Sequence, residues 1–482
     1  MRLIGRIGDG ATDTSARVIL LKDLEREIRA EEFVLIKNGG EENPVNEIIG
    51  VLREGLGKNE FLSHSSYRPD VAYLRYGGEP SGSREVFSFM VLPIGAKIGE
   101  RLEPNRYIIA PRSPVYLLED EDKPLKLLSQ GSEKIAWLDA YIDGHENWKV
   151  PVKEEFIPYH VGVYGSTGSG KSWFARYVLM PLYRRTGYSV LALDWSGTDY
   201  APHYPDNIIS ITEIAVDEDS VLSYLKDKTW NFGGNLSVQD AFDSFIEEWS
   251  ERVREARGNH VRLYDMLKQH VEQEINSIGR ADWRASALRA FRRVFRKIKA
   301  EDLKPLTGTI TIDEVLEVLH SKGLLIVDMS GASLESKLGF FLSLGGKLYD
   351  LMELGEEMNI ALIVDEAPQY APWDPHGIQA ETSDLIKDLA ALGRKRRLNL
   401  TLISQGIKGE IGINASVRRN LNTHFFGRIH PLDAGGEGGA SEWLSPYGIT
   451  PEHMLQLEPG KFYFSGAMNP SPIPLLITFK PR

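Results

Sequence analysis

The stretch "GVYGSTGSGKSWF", residues 162–174, has the residue types and spacing of a site for the phosphates of a nucleoside triphosphate. Gly165, Ser166, Thr167, Gly168, Ser169, Gly170, Lys171 and Ser172 spell G-x-x-x-x-G-K-[ST]. Glycines at 165, 168 and 170 allow backbone angles that turn loop amides toward phosphate oxygens. Lys171 is placed to reach the β- and γ-phosphates, and the Ser172 hydroxyl to ligate Mg²⁺. Trp173 follows directly and completes the candidate ATP-binding set. The loop comes after an apolar run, "HVGVY", and before a helical one, "WFARYVLMPLYRR", which is the context such a loop requires.

A phosphate loop needs an acidic partner at the end of a neighbouring strand. "ALIVDE", residues 361–366, supplies Asp365 to hold Mg²⁺ and Glu366 to polarise an attacking water. The glutamate favours hydrolysis over phosphoryl transfer to a small molecule. Gln405 ends the next apolar run, "TLISQ", where an amide can sense the γ-phosphate. Asp194 ends "VLALD" and either supports the magnesium shell or caps a helix. A trans-acting arginine would complete a ring site. Arg394 in "GRKRR" is the first candidate, with Arg418 and Arg419 as runners-up.

The elements around these residues fall into two kinds. Residues 1–150 show short alternating runs such as "ARVILL", "EFVLIK" and "VFSFMVL" between Gly, Pro, Asn and Asp, the pattern of a small barrel or sandwich. Residues 151–482 carry near-continuous apolar runs ending in polar residues, the pattern of a parallel sheet covered by helices. A helical insertion is expected at about 211–320. Within it, Leu288, Phe291, Phe295 and Ile298 alternate with Arg289, Arg292, Arg293, Arg296 and Lys299. The expected fold class is therefore α/β: a P-loop ATPase domain with a helical insertion, behind an N-terminal β-barrel or sandwich.

Composition narrows the classes of function. The chain of 482 residues has no cysteine, which excludes disulfides, zinc–thiolate sites and thiol catalysis. A formal net charge of −12 means that any nucleic-acid contact must come from a local basic patch. The N-terminus lacks the apolar core of a signal peptide, and no apolar run is long enough to span a bilayer. A cytoplasmic protein with no membrane contact is expected.

In the order "HVGVYGSTGSGKS", "LALDWSGTDY", "ALIVDEAPQYAP", "GRKRRLNLTLISQG" and "NTHFFGRI", the chain resembles the HerA family of the HerA/FtsK group. The opening "LIGRIGDGATDTSARVIL" is similar to the start of that family's barrel. The resemblance implies a RecA-like ATPase core, a homohexameric ring with double-stranded DNA in its channel, and ATP sites between subunits. It also implies a partner at the barrel, commonly a NurA-type nuclease acting in DNA end processing, or another effector in relatives serving antiviral defence. The chain departs from the family where Ala391 and Leu392 stand ahead of Gly393, and where Tyr159 precedes His160. A pumping ATPase of secretion or conjugation, and a ring scaffold whose partner does the chemistry, are the alternative readings.

Overall fold

The computed structural model describes residues 1–62, 71, 74–78, 85–130, 134–216 and 218–481; residues 63–70, 72–73, 79–84 and 131–133 of the expected barrel range and 217 of the expected insertion lie outside these. The chain divides into two compact units. One comprises Met1–Ile157, Val163–Leu182 and Asn422–Arg482, the other Pro158–Gly162 and Tyr183–Leu421.

In the first unit, β1 (Arg2–Ile7), β2 (Ala16–Leu20), β3 (Phe33–Asn38), β4 (Asn46–Asn59), β5 (Glu85–Ile98), β6 (Arg101–Glu103) and β7 (Pro114–Leu117) form an antiparallel sheet. The order is β2-β1-β7-β3-β4-β5, and β5 pairs back onto β2 through Ala16 and Val91, which closes six strands into a barrel. Closure removes the exposed strand edges that an open sheet would present. Ile4, Val18, Val34, Ile36, Ile48, Leu52, Val91 and Val115 fill the interior. The alternating runs of the sequence are these strands. Gly50 allows the β4–β5 register shift, since a Cβ there would lie 2.8 Å from the Leu92 carbonyl oxygen.

Beyond the barrel, β8 (Ile135–Ile142) and β9 (His145–Lys153) form a hairpin. The C-terminal strands β16 (Thr423–Phe426), β17 (Lys461–Gly466) and β18 (Leu475–Thr478) form an antiparallel meander, and β18 pairs with β8. Arg53 of β4 ties the barrel to this meander. Its guanidinium is buried, lies against both Glu31 oxygens at 3.1 Å, and donates to the carbonyls of Tyr447 and Pro474 at 2.8 and 2.6 Å. Tyr463 adds its hydroxyl to Glu31 at 3.1 Å. A guanidinium fork matched to a carboxylate and two carbonyls satisfies the charge that burial would otherwise penalise.

In the second unit, β11 (Ser189–Asp194), β12 (Ile208–Ser210), β13 (Leu324–Asp328), β14 (Ile360–Val364) and β15 (Leu398–Ser404) are all parallel, in the order β12-β13-β11-β14-β15. Each inner strand is buried along nearly its whole length, which is why the runs read as continuous rather than alternating. Between β12 and β13 lie α3 (Glu218–Thr229), α4 (Leu236–Ile246), α5 (Trp249–Glu255), α6 (His260–Ser277) and α7 (Ala281–Lys297), packed about one apolar core of their own. That core is apolar on the inner helix faces only, including Phe242, Phe245, Trp249, Leu263, Leu267 and Phe291. α8 (Ile312–Lys322), α9 (Leu334–Glu353) and α10 (Ile378–Gly393) are the helices that precede β13, β14 and β15. No helix among the described residues is long and apolar enough to cross a membrane.

Candidate active site

The phosphate loop lies in the first unit, after β10 (Val161–Tyr164). Ser166 N–H donates to the Arg428 carbonyl at 2.7 Å and its hydroxyl to the same oxygen at 3.1 Å; Ser169 N–H closes the turn onto the Ser166 carbonyl at 3.1 Å. Gly168 and Gly170 take left-handed backbone with φ of 78° and 95°. Gly165 is needed for space, since a Cβ would meet Ser169 Oγ at 2.5 Å; at Gly170 it would meet the Gly460 nitrogen at 3.2 Å. The loop is thus a tight cradle, and backbone amides are what such a cradle offers an anion. Lys171 Nζ turns back onto the loop, donating to Gly165 O at 2.7 Å and Ser166 O at 3.3 Å. These carbonyls hold the ammonium over the loop, where a phosphate would compete for it.

Helical structure begins at Lys171 and runs to Arg185 as an α-turn, a π-turn over Ala175–Leu179 and a second α-turn. A π-turn displaces the helix register by one residue and is often found beside a functional site. Here it brings Arg176 within 5.6 Å of both the Trp173 and Tyr177 rings, while Trp173 itself is half exposed.

The carboxylates lie in the second unit. Asp365 follows β14 and is buried, and its Oδ1 accepts from Glu366 N–H at 2.8 Å. Glu366 takes φ 50° and ψ 46°, a left-handed conformation that costs a non-glycine residue free energy. That turn lifts its side chain out of the strand direction and onto Gln405, whose Nε2 donates to Glu366 Oε1 at 2.6 Å. Burial raises the pKa values of Tyr200 and Tyr370 well above the usual tyrosine range, and the charge of Asp365 adds to both shifts. The acid therefore sits beside two hydroxyls that stay neutral.

Asp194 caps a turn. Its Oδ1 accepts from Gly197 N–H at 2.9 Å, and its Oδ2 accepts from Tyr200 and Ala201 N–H at 2.8 and 2.9 Å. Gly197 has φ 73°, and a Cβ there would strike Asp328 Oδ1 at 2.5 Å. The loop "DWSGTDY" is folded around one carboxylate.

Arg394 ends α10. Its Nε lies 3.5 Å from the Ala390 carbonyl and its Nη2 donates to Asn420 Oδ1 at 3.3 Å, with the guanidinium 6.0 Å from the Tyr159 ring. Arg418 is buried, 5.1 Å from the Trp373 ring, and Arg419 is exposed. Ala390 also accepts from His160 Nε2 at 2.8 Å, while His160 Nδ1 accepts from Leu400 N–H at 3.1 Å. Both ring nitrogens are committed in one tautomer, and burial pushes the His160 pKa down to about 4.

Of the expected residues, the second unit brings Asp365, Glu366 and Gln405 together, and the first brings Gly165 to Trp173 into one loop. Lys337 is an addition. It donates to the Trp195 carbonyl at 2.8 Å and lies 4.2 Å from the Trp195 ring; burial lowers its pKa, against the pull of Asp328 and Asp194. The signal was present in the sequence: Lys337, Phe341, Leu344 and Leu348 share one helical stripe, and a lone cation on a buried stripe needs a partner.

Residues 141–365 match the family model described as "Helicase HerA, central domain", a range that holds the phosphate loop and ends on Asp365. Over that range, 225 of the 482 residues, the chain is similar to the HerA central domain. Among solved structures, VirB4 of Thermoanaerobacter pseudethanolicus is 14% identical at a TM-score of 0.46, over 73% of this chain and 97% of that one. The plasmid coupling protein TrwB in complex with GDPNP is 17% identical at 0.43, over 69% and 88%. The genome packaging NTPase B204 from Sulfolobus turreted icosahedral virus 2, with AMPPCP, is 13% identical at 0.33, over 67% and 97%. No curated protein matches the chain. Glu366 is the residue after the end of the HerA-type range, and Gln405 lies outside it.

Proposed function

We propose that this protein is an ATP hydrolase that moves double-stranded DNA through a homohexameric ring in the cytoplasm. The observation that carries the hydrolytic part is the Glu366–Gln405 hydrogen bond of 2.6 Å, in which a strained glutamate is held by the strand-end amide. Glu366 would accept a proton from the attacking water, and Gln405 would register loss of the γ-phosphate and release or reorient the base. The loop Gly165–Ser172 and Trp173 would bind ATP, with Lys171 moving from its loop carbonyls to the β- and γ-phosphates. Ser172 and Asp365 are hard oxygen donors of the kind Mg²⁺ takes alongside phosphate oxygens and water. Bound Mg²⁺ would neutralise charge developing on the phosphates.

The HerA match supports the ring and the polymer. In a ring, Arg394 would act on the ATP of a neighbouring subunit. The barrel would receive a partner, a NurA-type nuclease or another effector, in DNA end processing or repair.

Steady-state ATP hydrolysis by the purified protein, with and without linear duplex DNA, tests this reading. Turnover should rise several-fold with duplex and vanish in Lys171→Ala. Turnover indifferent to DNA would sink the translocase and leave a ring whose partner does the chemistry.

A further inference from the structure

The helical insertion presents a surface that nucleotide chemistry does not use. α7 buries Ala287, Ala290, Phe291 and Val294 in the insertion core and exposes Arg289, Arg292, Arg293, Arg296 and Lys297. Spacings of three, four, seven and eight residues put all five on one stripe, about 12 Å long. Like charges at these spacings repel along a helix. Acids three or four residues away would relieve that repulsion, yet the one acid in α7 is Asp282, seven residues before Arg289. Nearby acids are already engaged, Asp302 with Lys228 and Glu301 with His260, both at 3.3 Å. Among the described residues, none of the five cations makes an ion pair. Two exposed tryptophans flank them: Lys297 lies 3.4 Å over Trp230, and Arg280 lies 4.7 Å over Trp283.

We propose that this stripe is a docking surface for the phosphate backbone of duplex DNA, read without regard to sequence and separate from the nucleotide site. The proposal rests on the reading that duplex DNA is the polymer handled by the ring. A protein interface that carries arginine at its centre still sets it among apolar contact area. The centre here is arginine, and the apolar residues of α7 face inward. Rows of arginines without ion pairs, of which Arg293 alone reaches a backbone carbonyl, that of Gly233 at 3.3 Å, suit a rod of phosphates, whose neutralisation releases counterions. A local patch of this kind is also what a chain of net charge −12 needs in order to hold DNA at all.

The experiment is fluorescence anisotropy of a short blunt duplex with the full-length protein, without nucleotide, across a salt series. Arg289→Ala/Arg292→Ala/Arg296→Ala should lower the slope of log K against log salt by roughly 2 to 3, about 0.9 per lost phosphate contact. The matching triple lysine variant should keep the slope, because phosphate contacts need charge rather than geometry. DNA-free ATP turnover should be unchanged in both variants. A triple-alanine slope equal to wild type overturns the docking surface and leaves the translocase reading intact. A wild-type protein that binds no duplex removes both. Loss of oligomer mass with an unchanged slope would make the stripe a protein interface, which also overturns it.

Discussion

Glu366 is held in left-handed backbone at φ 50°, and strain of this kind persists only where the surroundings over-determine it. Asp365 Oδ1 pins its amide, and Gln405 pins its carboxylate. If Glu366 is the base, Glu366→Gln keeps the shape and removes the proton acceptor. Turnover should then fall roughly 10²- to 10⁴-fold, while a fluorescent ATP analogue binds with near-normal affinity. Near-normal turnover in that variant would dismiss the role. The places of Glu366 and Gln405 at the ends of adjacent apolar runs followed from the sequence, and the hydrogen bond between them did not. The backbone strain did not, because nothing in the letters "VDEAP" fixes a positive φ. Asp194 is the instructive case. Its strand-end position fitted either a magnesium role or a cap, and only the three amides of Gly197, Tyr200 and Ala201 decide for the cap.

At the scale of elements, His160 pins the chain entering β10 to α10 and to β15, through the Ala390 carbonyl and the Leu400 amide. Its folded pKa of about 4 lies below the ordinary value of 6.5, so the unfolded chain binds the proton more readily. Stability from this group is complete above pH 6.5 and is lost as pH falls toward 4. At pH 5 the loss should be about 2 kcal/mol. Thermal unfolding between pH 7 and pH 5 should therefore shift less in His160→Gln than in wild type. Equal shifts would show that the imidazole is not what senses the acid. The parallel strands were legible because burial on both faces leaves an unbroken apolar run. The barrel strands were legible because one face meets solvent, which gives alternation. The pairing of β8 with the C-terminal β18 was not, since residues so far apart in sequence leave no local pattern. The Arg53–Glu31 fork escaped for the same reason, as its other partners, Tyr447 and Pro474, lie far along the chain.

At the scale of the whole molecule, the proposed ring makes each ATP site depend on a neighbour, and that dependence can be measured without seeing the ring. Arg394 bonds to Ala390 and Asn420, both single, neutral acceptors that a phosphate would outcompete. Lys171→Ala subunits would lose their own phosphate site but keep the arginine. Arg394→Ala subunits would do the reverse, and alone should hydrolyse ATP about 10³-fold more slowly than wild type. Mixed in equal amounts and reassembled, the two form head-to-tail contacts in which an intact phosphate loop faces an intact arginine at roughly a quarter of sites. Activity should reappear on mixing, to about that fraction of wild type. An arginine acting within its own subunit gives no complete site in any arrangement, so a mixture as inactive as its components would return Arg394 to a structural role at the end of α10. Arg419, the exposed runner-up, can be put through the same mixture, and whichever arginine restores turnover is the one that crosses the interface.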